Sequence, residues 1–121
     1  MNYKYHNANP QKRHIDDCVV RAISILTDKN WYDVYNELSD LASDNALMFD
    51  SVQFVEDYLD KRYVRECHYS KTVGEFAKEF PKGKYAVTMN GHITAVIDGI
   101  IYDTFDPSKR TMRCAWKIKK D

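Results

Sequence analysis

Up to residue 80 the apolar positions follow a helical period, and beyond Gly83 they switch to an extended one. Asp16 or Asp17 can cap a helix carrying Val19, Val20, Ala22, Ile23 and Leu26. Apolar side chains stand on nearly every side of that segment, which predicts a central, buried helix ended by the turn at 27–30. Asn30 with Asp33 caps a second helix, whose Trp31, Val34, Tyr35, Leu38, Leu41 and Ala42 share one face. Asp50 followed by Gln53 has the form of a capping box for a third helix bearing Val52, Phe54, Val55, Tyr58 and Leu59. Residues 63–67 form a shorter extended run. Thr72 with Glu75 opens a short fourth helix that Pro81-Lys82-Gly83 stops. The segments 84–89, 92–97, 100–104 and 112–118 then read as strands, with tight turns at Asn90-Gly91 and Asp98-Gly99. The Asp-Gly turn is the strongest short-range hairpin signal a sequence carries. Helices followed by a meander predict an α+β fold: a central N-terminal helix packed on a four- to five-stranded antiparallel sheet.

Composition narrows the function classes. At 121 residues one domain, 1–121, is expected, large enough for a single core. Two Trp, nine Tyr and five Phe argue against disorder. No apolar run is long enough to span a membrane, and the Met1–His6 start lacks the apolar core of a secretory signal. Three cysteines, an odd number, do not suggest a disulfide scaffold. The expectation is therefore a cytoplasmic protein with free thiols. Equal numbers of Lys+Arg and Asp+Glu, 18 each, exclude a uniformly basic nucleic-acid binder. That balance hides a division: residues 1–60 hold 5 basic and 11 acidic side chains, residues 61–121 hold 13 and 7. The two halves are expected to attract one another; the other reading is a basic surface for an anionic partner.

Cysteine chemistry needs a thiolate. Cys18 falls in the first turn of the most buried helix, where free backbone N–H groups and the helix dipole favour negative charge. Those N–H groups could also stabilise an oxyanion. Cys67 and Cys114 fall in strands and read as packing residues. A base must take the thiol proton, and His92, at the start of a strand, is the candidate. A two-residue turn at Asp98-Gly99 pairs Ile97 with Ile100 and brings Asp103 diagonally across the hairpin from His92. Asp106, just before Pro107, competes for that role if the turn is longer. A zinc site would require Cys67, His68, Cys114 and either His6 or His14 to converge, with no spacing motif behind it; neither metal nor cofactor is expected. Tyr3, Tyr5, His6, Lys12, Arg13 and His14 form an arm that packs beside the site or frays. Lys109, Arg110, Lys117, Lys119 and Lys120 with Trp116 form a basic end, read as a solvated face rather than a nucleic-acid contact.

The segments Asp17-Cys18-Val19-Val20-Arg21-Ala22, Gly91-His92-Ile93-Thr94-Ala95-Val96 and Tyr102-Asp103-Thr104-Phe105-Asp106-Pro107 resemble those of papain-like (clan CA) cysteine peptidases. The likeness is to the minimal kind, similar to leader-processing peptidase domains and small phage or bacterial proteins. The resemblance implies a papain-like fold and a thiol-dependent hydrolase with a Cys18–His92–Asp catalytic triad, its Asp being Asp103 or Asp106. Its substrate would be a peptide or protein. A Gln shortly before the nucleophile usually helps to form the oxyanion hole. Gln11 is the nearest here, and Gln11 and Asp17 are expected on the oxyanion and substrate side of Cys18. The alternative is a binding module that keeps the fold without the activity, such as a phage protein capturing a host factor.

Overall fold

The computed structural model describes residues 2–13 and 16–119. The elements are β1 (Tyr3–Tyr5), α1 (Cys18–Thr27), α2 (Trp31–Asp44), α3 (Val52–Asp60), β2 (Arg65–Cys67), α4 (Val73–Glu79), β3 (Lys84–Met89), β4 (His92–Ile97), β5 (Ile100–Asp103) and β6 (Met112–Ile118). The fold is α+β, with one sheet in the order β1-β5-β4-β3-β6-β2. The expected antiparallel sheet of four or five strands is corrected to a mixed sheet of six. The N-terminal arm adds β1 parallel to β5, from Tyr3 opposite Ile101 to Tyr5 opposite Asp103. The other pairings are antiparallel.

The caps explain where the helices begin. The Asn30 side chain accepts from the N–H of Asp33, and Thr72 and Glu75 form a reciprocal capping box. Helix α3 is capped by Ser51, whose hydroxyl accepts from the N–H of Phe54 at 3.1 Å, and not by Asp50 as the spacing predicts. Asp17 precedes α1, but its side chain makes no cap bond. Helix α1 is apolar nearly all round because it is buried nearly all round. Val20, Ile23 and Leu26 are each at most 2% exposed, packed between the α2/α3 layer and the sheet residues Ala86, Ile93, Ala95 and Trp116. Helix α4 covers the opposite face with Val73, Phe76 and Ala77 against Val87, Val96 and Ile101. Central strands buried on both faces therefore read as continuous apolar runs rather than alternating ones.

Asp98 and Gly99 both adopt positive φ, 50° and 78°, the backbone of a two-residue turn matched to strand twist. The expected pairing of Ile97 with Ile100 follows, and with it the register that carries Asp103 back toward β4. The acidic and basic halves are joined by ion pairs, Lys84 to Asp28 at 3.2 Å and Arg65 to Asp60 at 2.7 Å. Trp116 is fully buried and donates its indole N–H to Asp60, so the basic end has no exposed tryptophan. His14 of the arm and Lys120 of the basic end lie outside the described residues.

The expectation of three free thiols is corrected: Cys67 and Cys114 form a disulfide. They sit directly opposite one another in the β2–β6 pairing, a long-range register that neither local segment encodes. Among the described residues Cys18 is the free cysteine. The bond also takes two thiolates from the zinc set considered above.

Two outcomes test this framework. Gly99→Ala places a Cβ in a left-handed position, 3.2 Å from the Ala77 carbonyl oxygen, and should cost about 1–2 kcal/mol in urea unfolding; an unchanged midpoint would contradict the turn. Reducing the disulfide opens a 47-residue separation and should cost about 2–4 kcal/mol, read as a lower melting temperature in reductant.

Candidate active site

The first side chain of α1 is the Cys18 thiol, half-buried at the helix start. His92 opens β4, the strand beneath it, after a tight turn that Gly91 makes with φ 73°. Asp103 closes β5. Its Oδ2 lies 2.7 Å from His92 Nε2, and the two side chains are only 4% and 9% exposed. With Nε2 committed to Asp103, Nδ1 is the ring nitrogen left for the thiol. The charges follow from these contacts. Burial alone pushes the Cys18 thiol up. The hydrogen bond and charge of His92, the N–H of Ile93 and the Arg21 guanidinium outweigh it, so the thiol lies below its ordinary 9.0. Burial alone pulls His92 down, but hydrogen bonds and charge from Asp103 and Cys18 push it up to about 9. Asp103 is raised by burial and lowered more by His92 and the Thr104 N–H, which leaves it a carboxylate. Each shift favours the charged form of its group: thiolate for Cys18, imidazolium for His92 and carboxylate for Asp103.

The structure brings Cys18, His92 and Asp103 together and leaves Asp106 apart. The Asp106 carboxylate caps its own loop, accepting from the Ser108 N–H at 2.9 Å. Asp17, expected on the oxyanion and substrate side, is 3% exposed and turned inward. It pairs with Arg21 and accepts from the Trp31 indole at 2.9 Å and from Asn9 at 3.2 Å. Gln11 is an exposed loop residue whose backbone N–H is held by Asn9, and its side chain does not line the groove at Cys18. The backbone donor at the sulfur is thus the Ile93 N–H, and the first turn of α1 beside it carries N–H groups without intrahelical acceptors.

Sequence patterns did not single out Phe105 or Arg21, and left the N-terminal arm either packed beside the site or frayed. Phe105 lies against the His92 ring, centroids 4.8 Å apart, and covers the His–Asp pair. Arg21 reaches from Asp17 to Asp103, its second nitrogen 3.8 Å from Oδ1. The arm grips Asp103 from behind: its backbone oxygen accepts from the His6 N–H at 2.9 Å and the Tyr3 hydroxyl at 3.1 Å. Only the Asp17–Arg21 spacing of four, on one helix face, offered a local signal.

A groove of about 590 Å³, counting its open mouth, runs past Cys18 and His92. Asp50, Val52, Val55 and Glu56 form one wall, and Asn90 and Arg113 stand on the other. Arg113 is set there by a β-bulge. The β3–β6 register shifts between Val87 and Met89, and the Thr88 hydroxyl replaces ladder bonds by both donating to and accepting from the Cys114 backbone at 3.2 Å. The arrangement suits an extended chain whose reacting carbon meets the sulfur. Among the described residues no helix is long and apolar enough to cross a membrane.

Titrating the thiolate by its ultraviolet absorbance should find Cys18 below 9.0 in the wild type. In His92→Ala it should rise past the wild-type value, because burial then acts without its main opponent; an unmoved thiol would contradict the ion pair. No protein-family model, curated protein or solved structure matches the chain.

Proposed function

We propose that the chain is a thiol-dependent hydrolase acting at an acyl carbon, a peptide or isopeptide bond first, with a papain-like arrangement. A single observation carries this reading: a thiol at the start of a buried helix shares His92 with a buried carboxylate held 2.7 Å behind the ring. Nucleophile, proton carrier and orienting group have no structural need to meet in this order. The helix-on-sheet layout, with cysteine on the helix and histidine and aspartate on successive strands, supports the papain-like assignment.

In this mechanism the Cys18 thiolate attacks the carbonyl carbon, and the π electrons move onto oxygen. The backbone N–H groups around the first turn of α1 accept that charge. Collapse of the intermediate breaks the C–N bond, and His92 gives its proton to the departing amine. Neutral His92 then takes a proton from water, whose oxygen attacks the thioester and releases Cys18 as thiolate. Asp103 keeps the ring oriented throughout and stabilises its imidazolium form whenever it carries the proton. The leaving-group step needs imidazolium, so turnover should fall as pH rises through about 9, where His92 loses its proton.

One feature favours a second reading, a binding module without turnover: Gln11 does not line the groove, so its amide does not join the backbone donors. Turnover of a generic thiol-protease probe, p-nitrophenyl acetate, separates the two. The hydrolase reading predicts an acyl-enzyme burst that Cys18→Ala abolishes. His92→Ala should reduce it by about 100-fold or more, and Asp103→Asn should reduce it more than Asp106→Asn. Equal turnover by Cys18→Ala sinks the hydrolase reading.

A further inference from the structure

We infer that Arg21 is a positioning residue of this site: held between Asp17 and Asp103, it fixes the carboxylate behind His92 and supplies a cation that keeps the Cys18 sulfur as thiolate. The inference rests on the thiolate–imidazolium pair proposed above and is independent of the substrate.

The geometry is that of a buried bridge. One Arg21 nitrogen pairs with Asp17 Oδ1 and the other lies 3.8 Å from Asp103 Oδ1. Both carboxylate side chains are 4% exposed and the arginine 11%. Two buried carboxylates sharing one guanidinium are each costly to ionise without it. The planar fork of Arg spans both; a point charge does not. Asp17 is itself anchored, by the Trp31 indole of α2 and by Asn9 of the N-terminal loop. A chain of contacts therefore runs from α2 through Asp17, Arg21 and Asp103 to His92 and Cys18.

The charged and titratable neighbours come from every packed element. A small cavity shared by Arg21 and Cys18 is lined by His6 of the loop after β1, Thr94 of β4, and Tyr102 and Asp103 of β5. Across the groove Cys18 meets His92, Asp50 and Glu56 of the α3 side, and Arg113 of β6. Asp50 and Arg113 are exposed, so water and salt screen them. Arg21 is shielded, and it lies on the turn of α1 that follows the sulfur. Burial of the thiol works against ionisation, and Arg21 works with His92 to overcome it.

The test is the pH dependence of Cys18 alkylation by iodoacetamide, followed by mass spectrometry on the full chain. In Arg21→Gln the acid limb should move up by roughly half a unit to one unit, and the move should survive high salt. The single variant leaves Asp17 a buried unpaired carboxylate. The double variant Asp17→Asn/Arg21→Gln removes both charges together; it should give the same upward move and decides the matter if the single one does not fold. An acid limb that coincides with wild type in a folded variant overturns the role of Arg21. A wild-type Cys18 that alkylates only with the profile of an ordinary thiol overturns the ion pair itself, a distinguishable failure. Circular dichroism and a thermal melt, measured alongside, separate lost folding from a moved titration.

Discussion

A carboxylate buried to 4% exposure can stay charged only if its surroundings supply what water would have supplied. Asp103 obtains this from three directions. His92 meets one oxygen, the Thr104 N–H meets the other, and the Arg21 guanidinium stands 3.8 Å away. Its backbone oxygen is held by Tyr3 and His6. Much of the architecture serves these contacts. The Asp98-Gly99 turn determines the register that brings Asp103 back to His92, β1 ties down the end of β5, and α1 aligns Cys18 and Arg21 on adjacent turns. Because the site is dry, each charge is worth more there than it would be at the surface. The same dryness makes loss of any partner costly.

The groove side of the site is built differently. A register shift in the β3–β6 pairing, bridged by the Thr88 hydroxyl, sets Arg113 at the cleft. The Cys67–Cys114 disulfide ties the neighbouring β2 to the same segment of β6. A charge-holding interior and a stapled cleft wall are the two features that a reaction at Cys18 would require: one prepares the sulfur, the other holds the surface beside it.

What the sequence made legible was whatever a few neighbouring residues decide. The caps at Asn30 and Thr72, the switch from helical to extended period at Gly83, and the Asp98-Gly99 hairpin are each encoded within a handful of positions. That hairpin favoured Asp103 over Asp106 as the partner of His92, and the two-residue turn with its register decides for Asp103. Features that depend on distant pairing stayed hidden. Tyr3-Lys4-Tyr5 is a strand only because β5 offers a free edge, and nothing local distinguishes it from a frayed arm. Cys67 faces Cys114 only once β2 docks on β6. Asp17 looked like a group for the substrate because it adjoins Cys18, yet its carboxylate turns toward Trp31 and Arg21. At the third helix the expected cap, Asp50, is passed over, and the adjacent Ser51 takes the bond.

The central claim is that His92 is an imidazolium locked between thiolate and carboxylate. An NMR titration of its ring resonances reads that state directly. His92 should stay protonated through neutral pH and titrate at about 9, and Cys18→Ala should lower this value by removing one of its two partners. A wild-type His92 that titrates at its ordinary 6.5 and ignores the loss of Cys18 would contradict it.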